Sequence, residues 1–249
     1  MRYRFAISPD VHARDLPTWF VLNTRLQRAL GRPGRATVHD DFGALHRACA
    51  AGEVDLVYAN AADTVELVRE HGFLPVVRPR EVADEAVVVV SATGPVTELD
   101  DVPDRLTVAA TDAPDVERIC RILLEPADLD AGAIDLTVLR NYVLVAKAVI
   151  TGQVEAGFFL RRAHDNLSAT TRGMLRPLIS SRIHVVSHCL LLAPGLAELR
   201  EPLRDFLHTL SRDPAEQSTL AELGAPHGWQ PANEDDVEFM VDLMDALKQ

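Results

Sequence analysis

The stretch GEVDLVYAN at residues 52–60 has an echo, GQVEAGFFL, at residues 152–160. The likeness runs upstream at the same offset. Asp41 answers to Asn141, Phe42 to Tyr142, Leu45 to Val145, Ala48 to Ala148, Gly52 to Gly152, Val54 to Val154 and Asp55 to Glu155. Each copy has a residue fit to cap a helix, an apolar face at helical spacing, a glycine stop, and a strand opened by valine and an acid. A chain that uses this helix–glycine–strand unit twice is constrained to two lobes of similar α/β build.

The rest of the chain fits that frame. RYRFAIS reads as a first strand, LPTWFVLNTRLQRALG as a helix with Pro17 near its start and Gly31 past its end, and ATVH as a second strand. Asp41 caps FGALHRACAA; VDLVYAN, NAADTVELVREHG and FLPVVRP follow as strand, helix and strand. A second series runs through DEAVVVVS, LTVAAT, APDVERICRILL, IDLTVLR, NYVLVAKAVITG and VEAGFF. IHVVSHCLLLAPG reads as a long strand that carries the chain back, and the tail is helical. The expected architecture is an α/β two-lobed clamp with mixed sheets flanked by helices. Lobe I takes residues 1–83 and 192–249 and lobe II residues 84–191, with hinge strands near 84–91 and 182–191.

The net charge of −12 argues against nucleic acid, whose phosphates need clustered Lys and Arg. Cys49, Cys120 and Cys189 are odd in number, far apart and set in apolar runs, which points to buried free thiols. MRYRFAISPD lacks a signal-type apolar region, and no run is long and apolar enough for a membrane span. The chain as it stands therefore reads as cytoplasmic, or as periplasmic or extracellular if a signal segment has been removed.

Four motifs carry a resemblance: DFGALHRACAAGEVDLVYAN, VTELDDVPDRLTVAAT, RNYVLVAKAVITGQVEAGFF and LAELGAPHGWQPANEDDVEFMVDLM. In this order they resemble the phosphate- and phosphonate-type substrate-binding proteins of ABC transporters, a branch of the type 2 periplasmic binding fold. The resemblance implies a small-molecule ligand, a transporter or regulatory partner and no cofactor.

Ligands in such folds meet the carboxyl ends of parallel strands and the amino ends of the helices that follow. Ser8, Asp10 and His12 in SPDVHARD come first, with a surface Asx turn as the structural alternative. Tyr58 and Asn60 end a strand and open a helix; the resemblance places a pocket-lining tyrosine here, whereas a core tyrosine and a simple cap are the alternative. In TDAPD, Thr111 remains where the resembled binders carry a run of Ser and Thr, and Asp112 and Asp115 are added. A carboxylate facing a dianion is repulsive, so Asp112 caps the helix or faces away, or the ligand is no phosphonate. Arg140 and Asn141 stand where the resembled family places a His–Asp pair, and Arg140 suits an oxyanion clamp or a salt bridge. FFLRRAHD carries Leu160, Arg161 and Arg162 where that family has an acid, which points to a purely anionic ligand. His184 and His188, in HVVSHC, would lie roughly 13 Å apart on a strand, too far for one metal, so no metal site is expected; His188 remains a ligand contact.

Three functions fit. The first is a clamp that closes by a hinge on a small anion. The second is a cytoplasmic enzyme on the same fold, similar to menaquinone-pathway enzymes or pyrimidine-precursor synthases, with Asp10, His12 and His188 as acid or base candidates. The third is a ligand-sensing regulatory module. No catalytic motif separates them.

Overall fold

The structure, a computed structural model, describes residues 2–127, 129 and 132–246. The chain divides into two compact units, residues 1–83 with 185–246 and residues 84–184. It passes into the second unit after Ala83 and leaves it after His184.

The first unit begins with β1 (Tyr3–Ile7), α1 (Leu16–Ala29), β2 (Gly34–Val38) and α2 (Phe42–Ala50). β3 (Leu56–Ala59), α3 (Ala61–His71) and β4 (Leu74–Pro79) follow. The second unit holds β5 (Ala86–Ser91), β6 (Leu106–Ala110), α4 (Pro114–Leu123), β7 (Ile134–Val138) and α5 (Tyr142–Ile150). It ends with β8 (Ala156–Leu160), α6 (Arg161–Asp165), α7 (Ala169–Gly173) and β9 (Leu175–Ser180). Back in the first unit come β10 (Cys189–Leu192), α8 (Arg200–Arg212), α9 (Gln217–Glu222), β11 (Trp229–Pro231) and α10 (Glu234–Ala246).

The sheet orders are β11-β4-β10-β3-β1-β2 and β7-β6-β8-β5-β9. In each, a central strand (β1 or β6) pairs in parallel with two neighbours, and one antiparallel strand (β10 or β5) follows beyond. The second sheet thus repeats β2-β1-β3-β10-β4 of the first.

The sequence echo has a local cause. Asp41 and Asn141 occupy equivalent N-caps, their side chains accepting from the backbone N–H of Ala44 and Leu144. Gly52 and Gly152 have φ of 66° and 69°, the left-handed stop that other residues resist. The repeated acid latches two strands. Asp55 accepts from the Arg4 backbone at 2.8 Å and from its guanidinium at 2.9 Å, and Glu155 accepts from the Thr107 backbone at 2.9 Å and its hydroxyl at 3.0 Å. Leu45, Val145, Ala48, Ala148, Val54 and Val154 are all buried.

The first core gathers Phe5, Trp19, Leu26, Tyr58, Leu203 and Trp229; the second gathers Val87, Val89, Val145, Val149 and Phe159. Cys49, Cys120 and Cys189 are buried free thiols. α10 packs on α3, with Val237 and Met240 buried.

Two expectations change. The long strand expected across IHVVSHCLLLAPG is only Cys189–Leu192, because His184 takes φ 61°, which breaks an extended run. Two strands were missed, β9 and β11. β9 carries Pro177, which lacks an N–H and is tolerated because β9 lies at the sheet edge. Where the chain is about to leave the second unit, Glu85 grips it. Its carboxylate accepts from the Ser181 hydroxyl and from the backbone N–H of Ile183 (3.0 Å) and His184 (2.8 Å). Burial works against the charged form, but those donors outweigh it and hold the Glu85 carboxyl below its ordinary range.

Candidate functional site

In the first unit, polar side chains collect at the carboxyl ends of β1 and β3. Ser8 follows β1 directly and is fully buried. A turn closed by the Val11 N–H on the Ser8 carbonyl at 3.2 Å, with Pro9 at its second position, folds Asp10 back over the strand end. Ser8 Oγ then donates to Asp10 Oδ1 at 2.6 Å, and His188 Nε2 sits 3.1 Å from the same oxygen. The acid and imidazole side chains are only 4% and 1% exposed, so this is a buried charge-capable pair. The pairing of Cys189 with Ala59 sets His188 beside Asn60, and the His188 ring lies against Tyr58 at 5.0 Å, tilted by 30°.

Asn60 caps α3: its Oδ1 accepts from the Asp63 N–H at 2.8 Å. Cap spacing puts Asp63 and Thr64 on the first turn, next to Asn60. Asp63 Oδ1 lies 2.5 Å from His46 Nε2. Burial pushes the Asp63 carboxyl up; the His46 contact opposes this, and the nearby Asp10 charge adds to the rise. Asn60 Nδ2, Thr64 Oγ1 and Ser187 Oγ are buried with no hydrogen-bond partner. Burying such groups without partners costs about 1–3 kcal/mol each.

The structure therefore brings Ser8, Asp10, Asn60 and His188 together. Tyr58 belongs to this cluster through its ring, yet it also packs against Trp19 at 4.3 Å within the core. His12 is placed differently. It is exposed, and its Nδ1 accepts the Arg14 N–H at 3.2 Å in the next turn, clear of the buried groups. Asp63, His46, Thr64 and Ser187 were not singled out in the sequence. The first and third had a signal there, since NAADT sets polar residues three and four places beyond a cap.

In the second unit, Thr111 is buried at the end of β6. The cap position of α4 is Ala113, so Asp112 does not cap the helix and stands exposed before it. Asp115 is buried and bonds the Val116 N–H at 2.9 Å. Arg140 is exposed and makes no ion pair with a described residue; Asn141 caps α5. Arg161 opens α6, and its Nη1 donates to Ser180 Oγ at 2.7 Å. The only group among the described residues whose potential metal-binding atoms converge is Glu66, Glu70 and His71, an arrangement common without an ion.

Repeated strand order, parallel strands ending in polar groups and an antiparallel strand inserted in each sheet define the type 2 class of periplasmic binding folds. Residues 5–237 match the family model described as "ABC transporter, phosphonate, periplasmic substrate-binding protein", and the chain belongs to that family. A search of curated proteins finds no relative by sequence. Solved structures are similar in fold. The binding protein component of an ABC phosphonate transporter from Pseudomonas aeruginosa superposes with a TM-score of 0.79 at 16% identity, covering 100% of this chain and 89% of that one. A Prochlorococcus marinus protein in complex with methylphosphonate gives 0.81 at 12% identity, covering 99% and 98%. The periplasmic aliphatic sulphonate binding protein of Escherichia coli gives 0.67 at 18% identity, covering 99% and 92%.

Proposed function

We propose that this chain captures a small oxyanion of phosphonate or sulfonate type in the periplasm and delivers it to an ABC transporter. The observation that carries the ligand reading is the buried cluster of the first unit, where donors without protein acceptors lie beside a helix amino end. An oxyanion supplies the acceptor oxygens that Asn60 Nδ2 and Thr64 Oγ1 lack beside the amino end of α3. Ser8 and His188 stand ready beside them, and Asp10 holds both in place. In the second unit Thr111, Arg140 and Arg161 are the proposed anion contacts. The family's description as a periplasmic substrate-binding protein of ABC transporters supports this location and partner, and a binder rather than an enzyme on the same fold.

A thermal-shift panel of methylphosphonate, methanesulfonate, inorganic phosphate, ATP and acetate tests this. A ligand at about 100 times its Kd adds about 2.7 kcal/mol, a rise of several degrees at about 2–4 °C per kcal/mol. The expected result is a shift with phosphonate or sulfonate and none with acetate. A flat response to every oxyanion overturns the reading.

A further inference from the structure

In the second unit a pocket of about 350 Å³ is lined by Arg161, Ser180, Ser181 and Arg182, with Pro177 on its flank. β8 and β9 each run antiparallel to β5, so they point the same way, and this pocket lies at the carboxyl ends of both. That is the end of an α/β sheet at which ligands are met. We propose that this pocket is an oxyanion subsite for a phosphonate, sulfonate or phosphate group, with Arg161 and Arg182 as its charge-bearing contacts and Ser180 as the residue that orients Arg161. The proposal rests on the solute-binding reading above.

Three observations support it. The Arg161 guanidinium is fixed by Ser180 at 2.7 Å, while Asp165 approaches only its Nε, at 3.8 Å and 58% exposed. A planar fork held from one side still offers donors to a bidentate oxyanion. Arg182 is exposed and makes no hydrogen bond or ion pair with a described residue, which leaves its charge to the pocket. Glu85, the half-buried acid bonded to the pocket-lining Ser181, already has the Ser181 hydroxyl and two backbone N–H groups as donors.

Isothermal titration of the full chain with methylphosphonate, methanesulfonate and inorganic phosphate provides the test. Arg161→Met and Arg182→Glu are each expected to weaken whichever anion the wild type binds by about tenfold or more, as loss of a charged hydrogen bond requires. Arg182→Glu alters only an exposed side chain, so its effect is read apart from folding, and a melting curve checks each variant. Ser180→Ala, which keeps both charges, is expected to lose less. If the wild type binds and the Arg161→Met/Arg182→Glu double variant binds within twofold of it, the subsite is overturned while the solute-binding reading stands. If the wild type binds none of the three anions, the broader reading fails and the subsite with it.

Discussion

Two aspartates of the first unit show how environment sets the role of one residue type. Asp55 accepts three hydrogen bonds from Arg4, and the side-chain bonds first, then the backbone bond, hold its carboxyl below the ordinary range despite burial. Asp63 is pushed up instead, by burial, although His46 partly offsets this. The signs are opposite. A lowered folded pKa contributes stability that is present above the unfolded value and lost as pH falls through the folded one. A raised carboxyl pKa makes stability fall as pH rises from the unfolded value towards the folded one. Urea denaturation separates them. Asp55→Ala is expected to cost about 1.5–3 kcal/mol at pH 5 and pH 8 alike, and less only as the pH falls below the ordinary carboxylate range. Asp63→Asn is expected to leave stability at pH 8 unchanged or higher. A loss above about 1 kcal/mol for Asp63→Asn would mean that the His46 pair outweighs burial there.

At the scale of elements, the helix–glycine–strand unit was legible because every part of it acts locally. Caps, apolar spacing and a left-handed glycine do not need the rest of the chain. Gly52 and Gly152 have open space where a Cβ would sit, so only the positive φ resists substitution. Gly52→Ala and Gly152→Ala are each expected to cost about 1–2 kcal/mol, lowering Tm by several degrees at about 2–4 °C per kcal/mol. Gly34→Ala is expected to be far worse, since its Cβ would lie 2.1 Å from the ring of buried Tyr3. Equal melting points for Gly34→Ala and Gly52→Ala would refute this ranking. β9 was not legible, because Pro177 and a short mixed run give no strand signal; only its place at a sheet edge explains it. The strand expected across residues 183–195 is interrupted at His184, whose backbone N–H is held by Glu85, a partner 99 positions away.

At the scale of the molecule, the thiols report on cooperativity. Cys49 lies on α2, Cys120 on α4 and Cys189 on β10, so both units carry a reporter. Burial first, then the Asp63 and Glu66 charges, pushes the Cys49 thiol up to about 12, and burial raises Cys120 as well. Thiolates are the reactive form, so a disulfide reagent such as Ellman's is expected to label no cysteine in the native protein and all three after unfolding in guanidinium. Labelling of Cys120 alone under native conditions would show instead that the second unit opens independently of the first.

The sequence by itself determined the α/β class, the doubled unit, its caps and stops, and the family resemblance. Each of these is written in local spacing, where neighbours along the chain are neighbours in space. Of the proposed site, it offered strand ends and helix starts as candidates: Ser8, Asn60, Thr111 and Arg161. It could not say that His188 meets Asp10, 178 positions earlier, or that His12, two residues beyond Asp10, turns out to solvent. It also did not show that Asp63 would be buried against His46, or that Arg161 and Arg182 share one pocket. Those relations depend on strand pairing between distant segments and on which polar groups the packed core seals from water, and only the tertiary structure decides both.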